Sequence, residues 1–187
     1  DPALLQAFQE GKDIHRQTAA EVFGVSPDLV SSEMRRMAKA INFGLIYGLS
    51  AYGLSRQLSI PMKTAADYIE RYFTRYQKVK TYTTALIHEA KERGYVETMT
   101  GRRRYLKEIR SSNPQQRQMA ERMAINTPIQ GTAADMIKIA MNHIFAWFHE
   151  QKLKTKMILQ VHDELVFEAP TGELQVITGP VQREITS

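Results

Sequence analysis

The first residues whose types and spacing could support chemistry are Arg35, Lys39, Phe43 and Tyr47, each four positions after the last. Four residues turn an α-helix by about 400°, so these side chains lie along one face, with two cations followed by two rings. Arginine and lysine bind phosphates, and an aromatic ring binds a base or a sugar, so the order fits a nucleoside triphosphate. The alternative is that both rings belong to the core and both cations are solvated.

Two adjacent carboxylates, Asp163 and Glu164, form the second candidate. They interrupt a run of β-branched and apolar residues between Lys156 and Glu168, a pattern that predicts a β-hairpin with acidic residues at its tip. Exposed carboxylates of this kind suit a hard cation such as Mg²⁺, although aspartate is also an ordinary turn residue. Metal-assisted phosphoryl transfer usually needs carboxylates from two separate elements, and no strand with a second carboxylate precedes the helices. The metal site is therefore predicted to be incomplete.

A third set of side chains, Arg122, Asn126 and Gln130, again has a spacing of four. Arginine, asparagine and glutamine are suited to hydrogen bonds with base edges and sugars. Because Pro128 interrupts the helical register, the set taken by itself favours the alternative of ordinary polar residues on a helix surface.

The positive charge is concentrated in one part of the chain. The whole sequence has 25 Lys and Arg against 20 Asp and Glu, a formal charge of +5, and residues 91–122 hold nine basic and four acidic residues. This segment alone accounts for the excess. An anionic partner and a solvated surface both explain it.

Several classes of protein are excluded. There is no cysteine, which rules out disulfide scaffolds, thiolate metal sites and cysteine nucleophiles. The HExxH, GxGxxG, Walker and GxSxG patterns are missing from the sequence. No segment is predicted to span a bilayer and no signal peptide is visible, so no membrane partner is expected.

The elements that must position these residues are mainly helical. Apolar spacing and stop signals predict helices over 2–8, 13–23, 32–47, 51–58, 63–76 and 78–93. Residues 95–99 and 102–106 alternate as a short hairpin, a helix from Pro114 ends at Pro128, and a long helix covers 129–150. Residues 171–187 contain Gly172 and Gly179-Pro180 and receive no assignment. The predicted class is α+β.

Taken together, these segments resemble the family A DNA polymerases of bacterial type. Residues 35–48, RRMAKAINFGLIYG, resemble the fingers motif RRxAKxxNFGxxYG of that family, and 161–164, VHDE, resemble its palm metal motif. The segments 13–19, 101–106 and 127–135 match in the same order, and the similarity covers about residues 4–169.

The resemblance implies a role for each nucleotide-binding candidate. His15, Arg35 and Lys39 would hold the triphosphate of an incoming dNTP, and Lys39 would assist proton transfer to the leaving pyrophosphate. Phe43 would stack on the nucleotide, and Tyr47 would guard the place where the templating base enters.

The remaining roles concern metal and primer–template DNA. Asp163 would bind one of two Mg²⁺ ions, with Glu164 beside it as a second catalytic carboxylate and His162 near the primer end. Arg122, Asn126 and Gln130 would contact the minor-groove side of the duplex. The basic segment, with Arg102, Arg103 and Arg104, would follow the DNA phosphates.

The resemblance also implies an organisation. Residues 1–114 would form the fingers subdomain and 115–187 part of the palm; the strand with the first metal-binding Asp (motif A) is expected before residue 1, and the thumb elsewhere in a longer chain. The parent would be a template-directed DNA polymerase of DNA replication and repair in the bacterial cytoplasm, associated with the nucleoid. These 187 residues alone would be nearly inactive. The alternative is a non-catalytic nucleic-acid-binding module or an inactive fragment.

Overall fold

The computed structural model describes residues 1–186, and of Thr186 only the backbone. Helices dominate, with two small antiparallel strand pairs, which confirms the predicted α+β class. Ser187, the last residue of the predicted palm segment, lies outside the described residues. The elements are α1 (Pro2–Gln9), α2 (Ile14–Phe23), α3 (Ser32–Ile46), α4 (Ala51–Leu58), α5 (Met62–Arg75), α6 (Gln77–Arg93), β1 (Tyr95–Glu97), β2 (Arg103–Tyr105), α7 (Pro114–Asn126), α8 (Thr132–Glu150), β3 (Lys156–Val161), β4 (Glu164–Glu168) and α9 (Leu174–Thr186).

The chain divides into two compact units, residues 1–128 and the residues from 129 onward. The subdomain boundary predicted from the sequence, between 114 and 115, falls at the start of α7 instead. A compact unit and a functional subdomain need not coincide, so that boundary stays a prediction.

The core of the first unit fixes the orientation of α3. Ile41 and Leu45 of this helix are buried together with Val22 of α2, Leu54 of α4 and Tyr72 of α5. An amphipathic helix that buries one stripe turns the opposite stripe outward. The side chains at positions 35, 39 and 43 are therefore carried on the outer side of α3.

The starts of α2 and α3 and the end of α3 follow helix-capping chemistry. The Asp13 carboxylate accepts hydrogen bonds from the backbone N–H groups of His15, at 3.0 Å, and Arg16, at 3.2 Å, so it caps α2. Ser31 caps α3 by accepting from the N–H of Met34 at 3.1 Å. The chain leaves α3 through Gly48, whose φ of +74° is accessible to glycine without strain.

A short hairpin follows α6, as the alternation of the sequence predicts. Tyr95 pairs with Tyr105 and Glu97 with Arg103, and Gly101 lies in the turn. Val96 is buried in a small second cluster with Leu106, which anchors the hairpin. The arginine-rich strand β2 is exposed along its length.

The second unit consists of α8, the β3–β4 hairpin and α9. Ile144 and Phe148 of α8 are buried with Ile177 of α9, and Phe167 of β4 packs on the same cluster. The hairpin has a register shift in β3 between Met157 and Leu159, after which Val161 pairs with Glu164. The predicted acidic hairpin is thus present, and α8 and α9 support it.

Two features differ from the sequence-based expectation. Pro128 does not terminate a helix: residues Thr127–Gly131 form a π-helical segment, and α8 begins at Thr132. A π turn is wider than an α turn, which gives the proline ring room, and the Thr127 hydroxyl donates to the carbonyl of Met123 at 2.7 Å. The unassigned tail is helix α9, in which Pro180 lies inside the helix.

Replacement of Gly48 is expected to lower the free energy of unfolding. A Cβ added there would lie 3.1 Å from Cδ1 of Ile125, whereas one added at Gly94, with a φ of +77°, would meet no atom within 4 Å. We expect Gly94→Ala to lower the free energy of unfolding by about 1–2 kcal/mol through backbone strain, and Gly48→Ala by about 1 kcal/mol more through crowding. Urea denaturation followed by circular dichroism measures both, and equal losses would contradict the packing argument.

Candidate functional site

The outer face of α3 presents a cation and two rings in close succession. The Lys39 Nζ lies 6.0 Å from the centroid of the Phe43 ring, and the Phe43 and Tyr47 rings stack at 6.3 Å with an angle of 21° between their planes. Phe43 is 45% exposed, which is unusual for a phenylalanine whose helix otherwise packs on a core. The rings therefore do not belong to the core of the described residues, contrary to the alternative interpretation of the sequence.

His15, in the first turn of α2, joins this face. Its ring centroid lies 5.6 Å from that of Phe43, and its Nδ1 is 3.0 Å from Nδ2 of Asn42. The structure thus brings together the five side chains predicted to bind the nucleotide, which we call the α3 face: His15, Arg35, Lys39, Phe43 and Tyr47.

Charge at the α3 face is partly balanced by one carboxylate. Arg35 Nε lies 2.6 Å from Oδ2 of Asp13. The hydrogen bond from Arg35 lowers the pKa of the Asp13 carboxyl. Burial lowers the pKa of His15, the nearby charges of Arg35 and Lys39 lower it further, and Asp13 opposes them. The imidazole is therefore held neutral beside two cations.

The arginines of the basic segment fall into two groups. Arg103 Nε is 2.7 Å from Oε1 of Glu97, and its guanidinium lies 4.7 Å from the centroid of the Tyr95 ring, so its charge is balanced within the hairpin. Arg93 also pairs with Glu97, at 3.3 Å. Arg104 is exposed, and its guanidinium has no hydrogen-bond or ion-pair partner within residues 1–186.

The predicted minor-groove set is distributed over two elements. Arg122 and Asn126 lie one turn apart on α7, and Arg122 packs beside Gly48 at the end of α3. Asn126 has a buried side-chain oxygen, Oδ1, that accepts no hydrogen bond from the described residues. Gln130 is exposed in the π-helical segment and belongs to the second unit.

The acidic tip of the second hairpin is open to solvent. His162 has a φ of +54°, a left-handed conformation that turns the chain between β3 and β4, and Asp163 and Glu164 are exposed beside it. Oxygen donors in this setting fit Mg²⁺. Across residues 1–186, no group of three or more His, Asp or Glu side chains is arranged to hold a metal ion. The residues present thus fit part of a magnesium site.

The side chains around His15 were not among the residues predicted from the sequence. Asp13 and Thr18 lie in the 13–19 segment and Asn42 is a fixed position of the fingers motif, but neither these residues nor Tyr76 was given a role of its own. A polar residue on the buried stripe of an amphipathic helix, as Asn42 is, could have indicated them.

Comparison with known proteins gives the context of the site. The model of DNA polymerase family A matches residues 1–187. The chain belongs to DNA polymerase family A. It is 50% identical over 185 residues to DNA polymerase I of Caldicellulosiruptor bescii, covering 99% of this chain and 22% of that protein. It is 53% identical over 179 residues to the thermostable DNA polymerase I of Thermus thermophilus, covering 96% and 21%.

A solved structure of the family is also similar. The chain matches the POL domain of Pol1 from M. smegmatis, in complex with DNA primer-template and dNTP, with a TM-score of 0.89 and 44% identity. The match covers 97% of this chain and 32% of that one. The chain spans about a fifth of the length of the curated family A relatives it matches. Within residues 1–186, no helix is long and apolar enough to cross a membrane.

Glu173 secures the chain just before the acidic hairpin. Its carboxylate accepts hydrogen bonds from the N–H of Lys154 at 3.0 Å and from the N–H and hydroxyl of Thr155 at 2.9 and 2.6 Å. These bonds, above all that from the Thr155 hydroxyl, lower the pKa of Glu173 below its ordinary value of 4.5.

A depressed carboxyl pKa stabilises the fold above the unfolded-state pKa, and this stabilisation is lost as the pH falls through the folded-state pKa. We therefore expect Glu173→Gln to lower the urea midpoint at pH 7 and the difference from wild type to shrink as the pH falls below about 4.5. Glu168→Gln, at an exposed carboxylate of β4, is the control. A difference that does not change with pH would refute the role of the Glu173 charge.

Proposed function

We propose that this chain supplies the fingers and part of the palm of a template-directed DNA polymerase, which transfers dNMP from a dNTP to a primer 3′ end. The α3 face carries the proposal: cations, a neutral imidazole and an exposed ring lie together in the order that a nucleoside triphosphate requires. The similar M. smegmatis domain, described in complex with primer-template and dNTP, supports it.

In this proposal the residues of the α3 face act on different parts of the nucleotide. His15, Arg35 and Lys39 donate hydrogen bonds to the phosphates, and Lys39 gives a proton to the pyrophosphate as it leaves. Phe43 stacks on the base or sugar, and Tyr47 borders the entrance of the templating base. Arg35 is bonded to Asp13 through Nε, which leaves its Nη groups to donate to a phosphate.

Asp163 is the proposed Mg²⁺ ligand, with Glu164 beside it. Bound Mg²⁺ would neutralise charge on the phosphates and activate the primer hydroxyl by a two-metal mechanism. His162 lies near the primer end. Because this mechanism needs carboxylates from two elements, we expect negligible polymerase activity from the 187 residues alone, and activity when the motif A strand is supplied.

Replacement of Asp163 tests the catalytic assignment. In the full-length enzyme that contains this chain, Asp163→Asn should reduce kcat in a primer-extension assay by about a hundredfold or more, because it removes a metal-binding charge. Glu168→Gln removes an exposed charge at the far end of the same hairpin and should leave kcat within about twofold of wild type. Full activity of the Asp163→Asn enzyme would exclude the assignment.

The difference between paired and unpaired arginine side chains leads to a separate prediction for DNA binding. Since Arg103 is balanced by Glu97, Arg104→Ala should reduce the slope of log K against log salt by about 1, and Arg103→Ala by less. Fluorescence anisotropy with a labelled primer-template measures this slope for the full-length enzyme. Equal changes would show that the Arg103–Glu97 pair opens on DNA.

The same anisotropy measurement tests the alternative of a non-catalytic nucleic-acid-binding module. For such a module, a complementary dNTP with Mg²⁺ would leave DNA affinity unchanged. For a polymerase, the correct dNTP should tighten the complex, and Lys39→Ala should abolish that effect while the salt slope stays the same.

A further inference from the structure

A chain of buried polar groups leads from the α3 face into the core of the first unit. Thr18 Oγ1 donates to Oδ1 of Asn42 at 3.0 Å and lies 3.3 Å from the Tyr76 hydroxyl, and Asn42 Nδ2 lies 3.0 Å from Nδ1 of His15. Thr18, Asn42 and Tyr76 are 0%, 4% and 2% exposed. Three polar residues buried together at one end of a functional face require an explanation, because burial of such groups is costly unless each finds a partner.

The directions of these hydrogen bonds follow from the number of donors that each group has. The Thr18 hydroxyl has one proton, which it gives to Oδ1 of Asn42, so it accepts the proton of Tyr76. With Oδ1 occupied by Thr18, the amide presents its NH₂ group to His15. Nδ1 of His15 must then accept, which leaves the proton of the neutral ring on Nε2.

We propose that Asn42, held by Thr18 and Tyr76, is a positioning residue that fixes His15 as the Nε2–H tautomer, so that His15 meets the nucleotide phosphates as a neutral, oriented donor. The inference rests on the proposed nucleotide-binding function of the α3 face and adds a second layer of residues to it.

The charged groups around His15 agree with this assignment. Arg35 and Lys39 of α3 disfavour a third cation, whereas Asp13, at the start of α2, favours one. The Asp13 carboxylate is already bound to Arg35 and caps α2, so its attraction for a proton on His15 is reduced. An asparagine NH₂ group directed at Nδ1 opposes protonation of that atom by geometry as well as by charge.

The pKa of His15 in the full-length enzyme is the decisive measurement. Deuterium exchange at the imidazole C2 position, read by mass spectrometry of the peptide that contains His15, gives this value without nucleotide. Thr18→Val removes the donor that orients Asn42, and Asn42→Leu removes the amide; each should raise the pKa of His15 by roughly half to one unit. Thr18→Ser keeps the hydroxyl and should retain the wild-type pKa.

A matched control separates this effect from general loosening of the core. Thr127 is a buried threonine of the same unit whose hydroxyl bonds a helix carbonyl, so Thr127→Val should leave the pKa of His15 unchanged. A fall of the pKa in Asn42→Leu would show that the amide presents its oxygen to His15 and would overturn the proposal. Unchanged values in both Thr18→Val and Asn42→Leu would overturn it as well.

Steady-state kinetics distinguish failure of this inference from failure of the proposed function. Thr18→Val should raise KM for dNTP about three- to tenfold with kcat within about twofold of wild type, and Thr18→Ser should restore KM. If His15→Gln raises KM but Thr18→Val changes neither pKa nor KM, nucleotide binding stands and the positioning role falls. If the pKa of His15 shifts while KM for dNTP stays constant in every variant, His15 does not bind the nucleotide, and its assignment to the phosphates is wrong.

Discussion

The structure of the candidate site depends on the division of α3 into two faces. Ile41 and Leu45 are buried against Val22 of α2, and this packing sets the rotation of the helix about its axis. Because the side chains of a helix keep fixed angular positions, a rotation that buries Ile41 and Leu45 must present Lys39 and Phe43 outward. The side chains that could bind a ligand are thus oriented by apolar side chains that do not. A loss of packing between α2 and α3 would also move His15, which α2 carries to the same face.

Charge in this chain is better understood from pairing than from totals. The excess of residues 91–122 equals that of the whole chain, yet Arg103 and Arg93 share Glu97, and Lys91 Nζ lies 2.7 Å from Oε1 of Glu121. These cations are thus already balanced by carboxylates of the same segment. The Arg104 guanidinium, which has no partner within residues 1–186, retains its full attraction for an anion. Only part of the positive segment is therefore available to a polyanion such as DNA.

The sequence predicted most helices to within one or two residues because their signals are local. Asp13 and Ser31 cap α2 and α3, and a glycine with positive φ ends each of α2 and α6. The sequence did not predict α9, because that helix depends on tertiary contacts. It contains Pro180, and its Ile177 is buried against Ile144 and Phe148. Side chains on one helix face were predictable from a spacing of four residues. The Asn42 network was not, because Thr18 is 24 positions from Asn42 and 58 from Tyr76, and these groups meet only in the folded core.

In the proposed function, a nucleotide phosphate would meet an Arg35 guanidinium that is already paired with Asp13 through Nε. Arg35 is bound to Asp13, whose carboxylate also caps α2, the helix that carries His15. If a phosphate displaced the Arg35 bond, Asp13 would lose one hydrogen-bond donor but keep its two backbone donors, so α2 would retain its cap. The Asp13 carboxylate and the phosphates would then both favour an imidazolium at His15. In the proposed arrangement, the Asn42 amide would resist that protonation at Nδ1 and preserve the orientation of the ring.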